Sequence, residues 1–270
     1  MPARYENRSS DIYCRDSRFA TKTMGYISHL HNHIELGFVM DGHTKVTIDS
    51  SVYDVHGGDI IVVFPNQIHQ FETVEHENYI LLIIDPEIIP ELTSVFTSSL
   101  PISNLIKGGA EDEELLNLIT RISDVYRSDQ LYKDPILHGY ILAFFGKLLQ
   151  KIQLEDIQSR DYHALGTIIN YCTVNYDKNL SLSILERELH ISKYYISHLM
   201  STKLKMGFND YINSIRISSA CKHLAKKQYS ITEVSELVGF NTLRTFNRAF
   251  MKQMNMTPSQ YRSENQKRSS

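Results

Sequence analysis

"LERELHISKYYISHLMSTK" (residues 185–203) and "VSELVGFNTLRTFNRAFMKQ" (residues 234–253) write one pattern twice. Leu185 and Leu189 match Val234 and Val238 at an offset of 49, whereas Ser192, Ile196, His198 and Met200 match Thr242, Phe246, Arg248 and Phe250 at an offset of 50. The change of offset puts one extra residue in the second turn. Each copy reads as a short helix, a tight turn and a longer helix opened by a capping hydroxyl, Ser192 or Thr242. Gly239 falls where the second turn needs a residue without a Cβ. Ile196, Leu199 and Met200, like Phe246, Ala249 and Phe250, recur at i, i+3, i+4 and define the buried face of each longer helix.

The opposite faces then point outward. They carry Lys193, Tyr194, Ser197, His198 and Thr202 in the first copy, and Leu243, Arg244, Asn247 and Arg248 in the second. These side chains suit base edges: Arg pairs with guanine, Asn with adenine, and Leu or Tyr meets a thymine methyl. Between the copies, "GFNDYINSIRISSACKHLAKKQ" (residues 207–228) is predicted as one long helix with Phe208, Tyr211, Ile212, Ile215 and Leu224 mostly on one side. Such a spacer would hold two recognition helices for successive major grooves, about 34 Å apart. Lys203, Lys205, Lys222, Lys226, Lys227 and Lys252 would neutralise phosphates, adding affinity without sequence information.

Charge supports this division. The net charge of −3 over 270 residues conceals 15 Lys+Arg against 7 Asp+Glu in residues 162–270, and 13 against 24 in residues 1–161. A basic half joined to an acidic half suits a chain that meets a polyanion at one end only. Alone, that asymmetry fits a solvated surface equally well; the duplicated unit is what points to double-stranded DNA.

The closing run, with Ile231, Glu233, Val234, Gly239, Phe240, Phe246, Arg248, Phe250, Pro258, Tyr261 and Arg262 at its spacing, resembles the DNA-binding domain of AraC/XylS-type transcription regulators, over essentially all of residues 165–262. Three departures are visible. Glu186 stands where the family usually packs Ala, Lys205 and Asn255 stand where Gly usually follows each recognition helix, and His198 stands where Arg is common.

The acidic half reads differently. From residue 34 to 84, short β-branched and aromatic runs ("IELGFVM", "HTKVTID", "SSVYDV", "DIIVVF", "IHQFETV", "NYILLII") alternate with turn residues such as "DG" and "HGG", as in an antiparallel meander closing into a small barrel or sandwich. Two helical segments follow, residues 111–128 and 134–153. In the second, Leu137, Tyr140, Ile141, Phe144, Phe145, Leu148 and Leu149 form a face broad enough to cover the barrel and also seal a partner subunit. "LEDIQSRD" (residues 154–161) reads as a linker.

"HLHNHIE" (residues 29–35) holds three histidines and a carboxylate. Even spacing can put His29, His31 and Glu35 on one inward strand face, and His33 shares that parity. The run from His29 to Gly42 resembles the first cupin motif and "GDIIVVFPNQIH" (residues 58–69) the second, so the half is similar to the cupin-type sensor domain of many such regulators. Adding His69 gives three imidazoles and a carboxylate, a set that suits Fe, Mn, Ni or Zn. It equally suits direct contact with a small polar effector, or structural polar packing. Where cupins often place Asn after the second-motif His, this chain has Thr73.

The expected architecture is therefore α+β: a cupin-like effector-binding barrel over residues 1–107, a two-helix dimerisation layer over 108–153, a linker over 154–161, and an all-α double helix-turn-helix domain over 162–270. The expected function is a ligand-responsive, sequence-specific DNA-binding transcription regulator. His29, His31, Glu35 and His69 would contact the effector; the resemblance implies a sugar or other small polar metabolite, a homodimer, and RNA polymerase as a further partner.

No cofactor is required by this reading. No catalytic residue is identified either, since a general acid or base and a nucleophile do not stand out. The alternative from another class is a metal-dependent cupin enzyme with an appended basic domain; a DNA-binding architectural protein without effector is a third. The polar, basic start and the lack of any run of 18 apolar residues predict a cytoplasmic chain with no membrane partner. Cys14, Cys172 and Cys221 are too scattered for a disulfide framework or cysteine metal site.

Overall fold

The chain runs through β1 (Arg4–Tyr5), β2 (Ile12–Asp16), β3 (Tyr26–Leu30), β4 (Ile34–Ile48), β5 (Ser51–His56), β6 (Ile60–Val63) and β7 (His69–Ile84). Then come α1 (Pro90–Ser98), β8 (Ser99–Pro101), β9 (Leu105–Ile106), α2 (Glu113–Arg127), α3 (Lys133–Leu149) and β10 (Leu154–Asp156). The described remainder is helical: α4 (Arg160–Val174), α5 (Leu182–Leu189), α6 (Lys193–Lys203), α7 (Phe208–Ala225), α8 (Ile231–Leu237), α9 (Leu243–Met254) and α10 (Pro258–Arg268). This computed structural model describes residues 4–6, 8, 10–156, 160–204, 206–225 and 228–268. Two units divide between residues 158 and 159, and β1 belongs to the second.

In the first unit, β4 and β7 form one long antiparallel pair that serves two layers. Residues 34–38 of β4 pair with 80–84 of β7, flanked by β2 on one side and by β6 and then β9 on the other. Beyond a pair of register shifts, residues 44–48 pair with 69–73, flanked by β3 and β5. Among the described residues the pairings follow an open path, β3-β7-β4-β6-β9, and do not close into a ring. The expected barrel is thus an open, doubled sheet whose layers share two continuous strands.

The expected turn at Asp41–Gly42 is a bulge inside β4. Gly42 has φ +96°, and a Cβ there would fall 1.8 Å from the His76 carbonyl oxygen, so the bulge admits only glycine. The bulge takes up the extra residues without breaking the strand. The sequence marks neither β2 nor β3, because in β2 the charged Asp16 takes a buried position and hides the alternation.

Both faces of the shared strand pair are covered, which is why "YILLII" is continuously apolar instead of alternating. One face (Ile34, Leu36, Phe38, Ile80, Leu82, Ile84) packs against Leu115, Ile119 and Ile122 of α2 and Leu137, Ile141, Phe144, Phe145 and Leu148 of α3. The other (Val39, Ile61, Val63, Leu81, Ile83) meets Val46, Ile48, Val55 and Phe71 from the opposite layer. Most of the broad apolar face of α3 is consumed within the chain. Residues 154–156, expected in a linker, instead form β10, paired with β8 from Leu154↔Pro101 to Asp156↔Ser99. The ladder satisfies backbone groups that a linker would leave to water.

Asp16 ties β2 to α2. Its carboxylate accepts from Ser123 Oγ at 2.6 Å and from Arg18 Nη2 at 2.6 Å. Burial pushes the Asp16 carboxyl up, but the Arg18 and Ser123 hydrogen bonds outweigh this and hold it below its ordinary 3.8.

In the second unit α4 packs on α5 and α6, while α7 packs on α8, α9 and α10. Tyr5 of β1 is buried here, its ring edge-on to Tyr211 at 5.6 Å and its hydroxyl accepting from Thr173 Oγ1 at 3.2 Å. The start of the chain therefore clusters with the helical unit, where Tyr5 packs edge-on against Tyr211 of α7. No helix among the described residues is long and apolar enough to cross a membrane. Cys14 and Cys172 are buried thiols pushed up to about 12 by burial.

Asp16→Asn should lower stability by about 1–3 kcal/mol at neutral pH in urea denaturation followed by tyrosine fluorescence. Because the folded carboxyl titrates below 3.8, the wild-type advantage is fully present above that value and vanishes as pH falls through the folded pKa. A difference that persists unchanged at pH 2 would remove the charge from the explanation.

Candidate nucleic-acid interface and buried histidine cluster

The turns of the two repeats are built on left-handed residues one repeat apart. His190 (φ 56°) ends α5 and Gly239 (φ 84°) follows α8. A Cβ on Gly239 would lie 2.4 Å from the Asp177 carbonyl oxygen, so this turn requires glycine, whereas the first turn accepts histidine. Ser192 Oγ accepts from Tyr195 N–H and Thr242 Oγ1 from Thr245 N–H, fixing where α6 and α9 begin. Ser230 and Glu233 close a capping box on α8, with Ser230 N–H donating to Glu233 at 2.6 Å.

The departure at Glu186 has a structural use that sequence reading missed. Its carboxylate reaches across the turn and accepts from Lys193 N–H at 3.0 Å, a second cap on α6. An acid one repeat-turn before a helix start is the signal that would have found it. Asn255 ends α9 in the left-handed region (φ 55°), a conformation Asn tolerates.

With both helices fixed, Ile196, Leu199, Met200, Phe246, Ala249 and Phe250 are buried. Tyr194, Ser197, His198, Thr202, Leu243, Arg244, Asn247 and Arg248 are exposed, and Lys193 is half-buried. Lys252 donates to Asp210 at 2.7 Å, and Lys203 is exposed. Lys205, Lys226 and Lys227 lie outside the described residues. Arg216 of α7 is half-buried and structural: it donates to the carbonyls of Tyr176 and Lys178 and lies over the Phe240 ring.

In the first unit the structure brings His29, His31, Glu35 and His69 together, all buried, with candidate ligand atoms within 4.8 Å of one another. Strand alternation along one segment is not the cause. β3 ends at Leu30, so His31 lies in the connection to β4; His29 and His69 are register partners across β3 and β7, and Glu35 belongs to the other layer. His33 shares the parity but stays out of the cluster, its Nδ1 3.0 Å from Asn32 Oδ1.

Glu35 Oε2 lies 2.9 Å from His31 Nε2, 3.3 Å from His69 Nε2 and 3.9 Å from His29 Nε2. The other ring nitrogens face backbone carbonyls: His29 Nδ1 that of Ile27 at 2.9 Å, His31 Nδ1 that of His33 at 3.1 Å, His69 Nδ1 that of Gln67 at 2.9 Å. A second layer holds the loop before His69. Gln67 Oε1 accepts from Phe64 N–H and Asn104 Nδ2, while Asp49 accepts from Ile68 N–H and Gln67 Nε2. Asn104 is too distant in sequence to have been assigned this role.

Burial pushes His29 well below its ordinary range, reinforced by His69, and takes His31 down to about 4. Burial pushes Glu35 up, but contacts with His31 and His69 win and hold it well below the usual carboxylate range.

Residues 185–264 match the helix-turn-helix domain model, and residues 9–143 match the AraC-like ligand binding domain model. An uncharacterized HTH-type transcriptional regulator of Bacillus subtilis (strain 168), YdeC, is 25% identical, the alignment covering 94% of this chain and 92% of that one. The TCP pilus virulence regulatory protein of Vibrio cholerae is 25% identical over 77% of this chain and 78% of its own. A crystal structure of ToxT from Vibrio cholerae shares the fold with a TM-score of 0.57 at 19% identity, over 93% of this chain and 96% of that one. The duplicated helix-turn-helix, the doubled sheet and both matched domains agree: this chain belongs to the AraC family of helix-turn-helix transcription regulators with an AraC-like ligand-binding domain.

Proposed function

We propose that the chain binds specific double-stranded DNA sites by placing α6 and α9 in successive major grooves, under control of a small molecule held by the first unit. The observation that carries this reading is the exposure of Arg244, Asn247 and Arg248 on a helix whose opposite face is sealed by Phe246 and Phe250. Arg244 and Arg248 would contact guanine, Asn247 adenine, and Leu243 a thymine methyl. In the first copy Lys193, Tyr194, Ser197, His198 and Thr202 would play the corresponding parts. His198 is a weaker base reader than arginine, so the second copy supplies more of the discrimination. Lys226 would contribute phosphate attraction.

The effector in this reading is a sugar or other small polar metabolite at His29, His31, Glu35 and His69, the polar part of an otherwise apolar interior. One observation favours a second class. ToxT has been crystallised bound to an unsaturated fatty acid and to a naphthyl-substituted butenoic acid. Met24, Val39 and Phe71 would suit the apolar part of such an acid. The chain would act in the cytoplasm as a homodimer through the α2–α3 layer, where Leu131 and Tyr132 are 84% and 79% exposed, and would signal to RNA polymerase rather than catalyse a reaction.

Arg248→Ala should weaken specific binding by about 1–3 kcal/mol and leave non-specific binding nearly unchanged. Lys226→Ala should weaken both and reduce the slope of log K against log salt by about 1. Fluorescence anisotropy on a selected site and a scrambled duplex, at several salt concentrations, checks both; equal effects of the two changes would refute the assignment. For the effector, sugars and medium-chain acids are each screened by thermal shift. A Tm rise that grows with ligand concentration identifies the class, and indifference to both would sink the effector reading.

A further inference from the structure

Tyr195 belongs neither to the buried face of α6 nor to the exposed one. It is half-buried, and its hydroxyl donates to the carboxylate of Asp161, 34 residues earlier in the chain. Its N–H donates to the Ser192 cap at 3.3 Å, so the residue is held at both its backbone and its tip. Asp161 lies in the first turn of α4, and the run of the second unit that contains it begins at Ser159. α4 packs on α6 within that unit. The first reading helix is therefore tied by a side chain to the stretch of sequence that directly follows the first unit.

The second copy is built otherwise. The offset of 50 puts Thr245 at the place of Tyr195, and Thr245 Oγ1 donates to the Thr242 carbonyl at 2.8 Å, inside its own turn. α9 is linked to α7 at its other end, through Lys252 and Asp210, whose side chains are 62% and 55% exposed. Salt screens such an exposed ion pair. A phenol hydroxyl at the end of a rigid ring, bonded to a carboxylate, fixes distance and direction more closely. Base reading depends on that closeness, because an N–H···O bond is confined to about 2.7–3.2 Å.

We infer that Tyr195 is a positioning residue for DNA reading: its bond to Asp161 sets the seat of α6 against the start of α4. The chain leaving the first unit thereby acts on how the first copy meets its half of the site, while the second copy holds its own position. Tyr195 itself touches no base in this arrangement. The inference rests on the proposed placement of α6 and α9 in successive major grooves and adds which side chain makes one of them adjustable.

The test uses the full chain and fluorescence anisotropy on the duplex that the wild type selects, and on two versions of it with one half scrambled. His198→Ala marks the half that α6 reads. Tyr195→Phe should reduce discrimination in that half roughly 10-fold, the usual scale for losing a hydrogen bond to a charged group. Discrimination in the other half should stay at the wild-type level. Asp161→Ala should have the same effect, and the double change should do no more than either alone. Asp161→Asn, whose amide oxygen still accepts from the phenol, should restore most of the discrimination. The slope of log K against log salt should not move, since no phosphate contact is lost. Undiminished discrimination by Tyr195→Phe, equal loss in both halves, or a changed salt slope would each overturn the inference. So would Asp161→Ala reading like wild type where Tyr195→Phe does not, since Tyr195 would then touch the DNA directly. A wild type that selects no duplex overturns the placement in the grooves, and the inference with it. Should Tyr195→Phe fail to fold, Asp161→Ala decides by the same half-site criterion.

Discussion

Each recognition helix must bury one face to exist at all, and that burial dictates which side chains remain for DNA. Phe246 stacks edge-on against Phe240 and Phe250, and Phe250 against Tyr261, with centroids 5.4–5.7 Å apart. Each such side chain removed from water contributes about 1.5–3 kcal/mol, far more than any exposed contact on the same helix. A slip of one residue would turn the helix by about 100° and bring a polar side chain into the core. The caps at Ser192 and Thr242, and the left-handed residues at His190 and Gly239, fix the phase, so Arg244, Asn247 and Arg248 face solvent as a consequence of packing.

The first unit obeys a related constraint in β geometry. Two long strands carry both layers, and the bulge at Gly42 lets them continue where a turn would have ended them. The interior this creates is mostly apolar, and within it β3, the start of β4 and the start of β7 bring three imidazoles to one carboxylate. Such a cluster is expensive to desolvate. Its ring orientations are held by backbone carbonyls, and the loop carrying His69 is held by Gln67, Asp49 and Asn104.

The helical half was largely legible from the chain. A 3.6-residue apolar period, two hydroxyl caps and one glycine are local signals, and they located α5, α6, α8 and α9 within a residue or two. The sheet half was less so. Asp41–Gly42 has the composition of a turn and the structure of a bulge, because local sequence does not say whether the flanking strands continue through the bend. β2 was hidden by Asp16, whose burial is tolerable only because Arg18 and Ser123 pair with it. The segment 154–156 looked like a linker because the strand it pairs with, β8, lies some fifty residues earlier.

The sequence by itself determined the repeated reading unit and its basic character, because these depend on residue type and short-range period. The tertiary structure alone decided which of His31 and His33 faces Glu35, where Tyr5 packs, and how the two layers join. Those outcomes depend on contacts between residues far apart in the chain, for which local propensity carries no information.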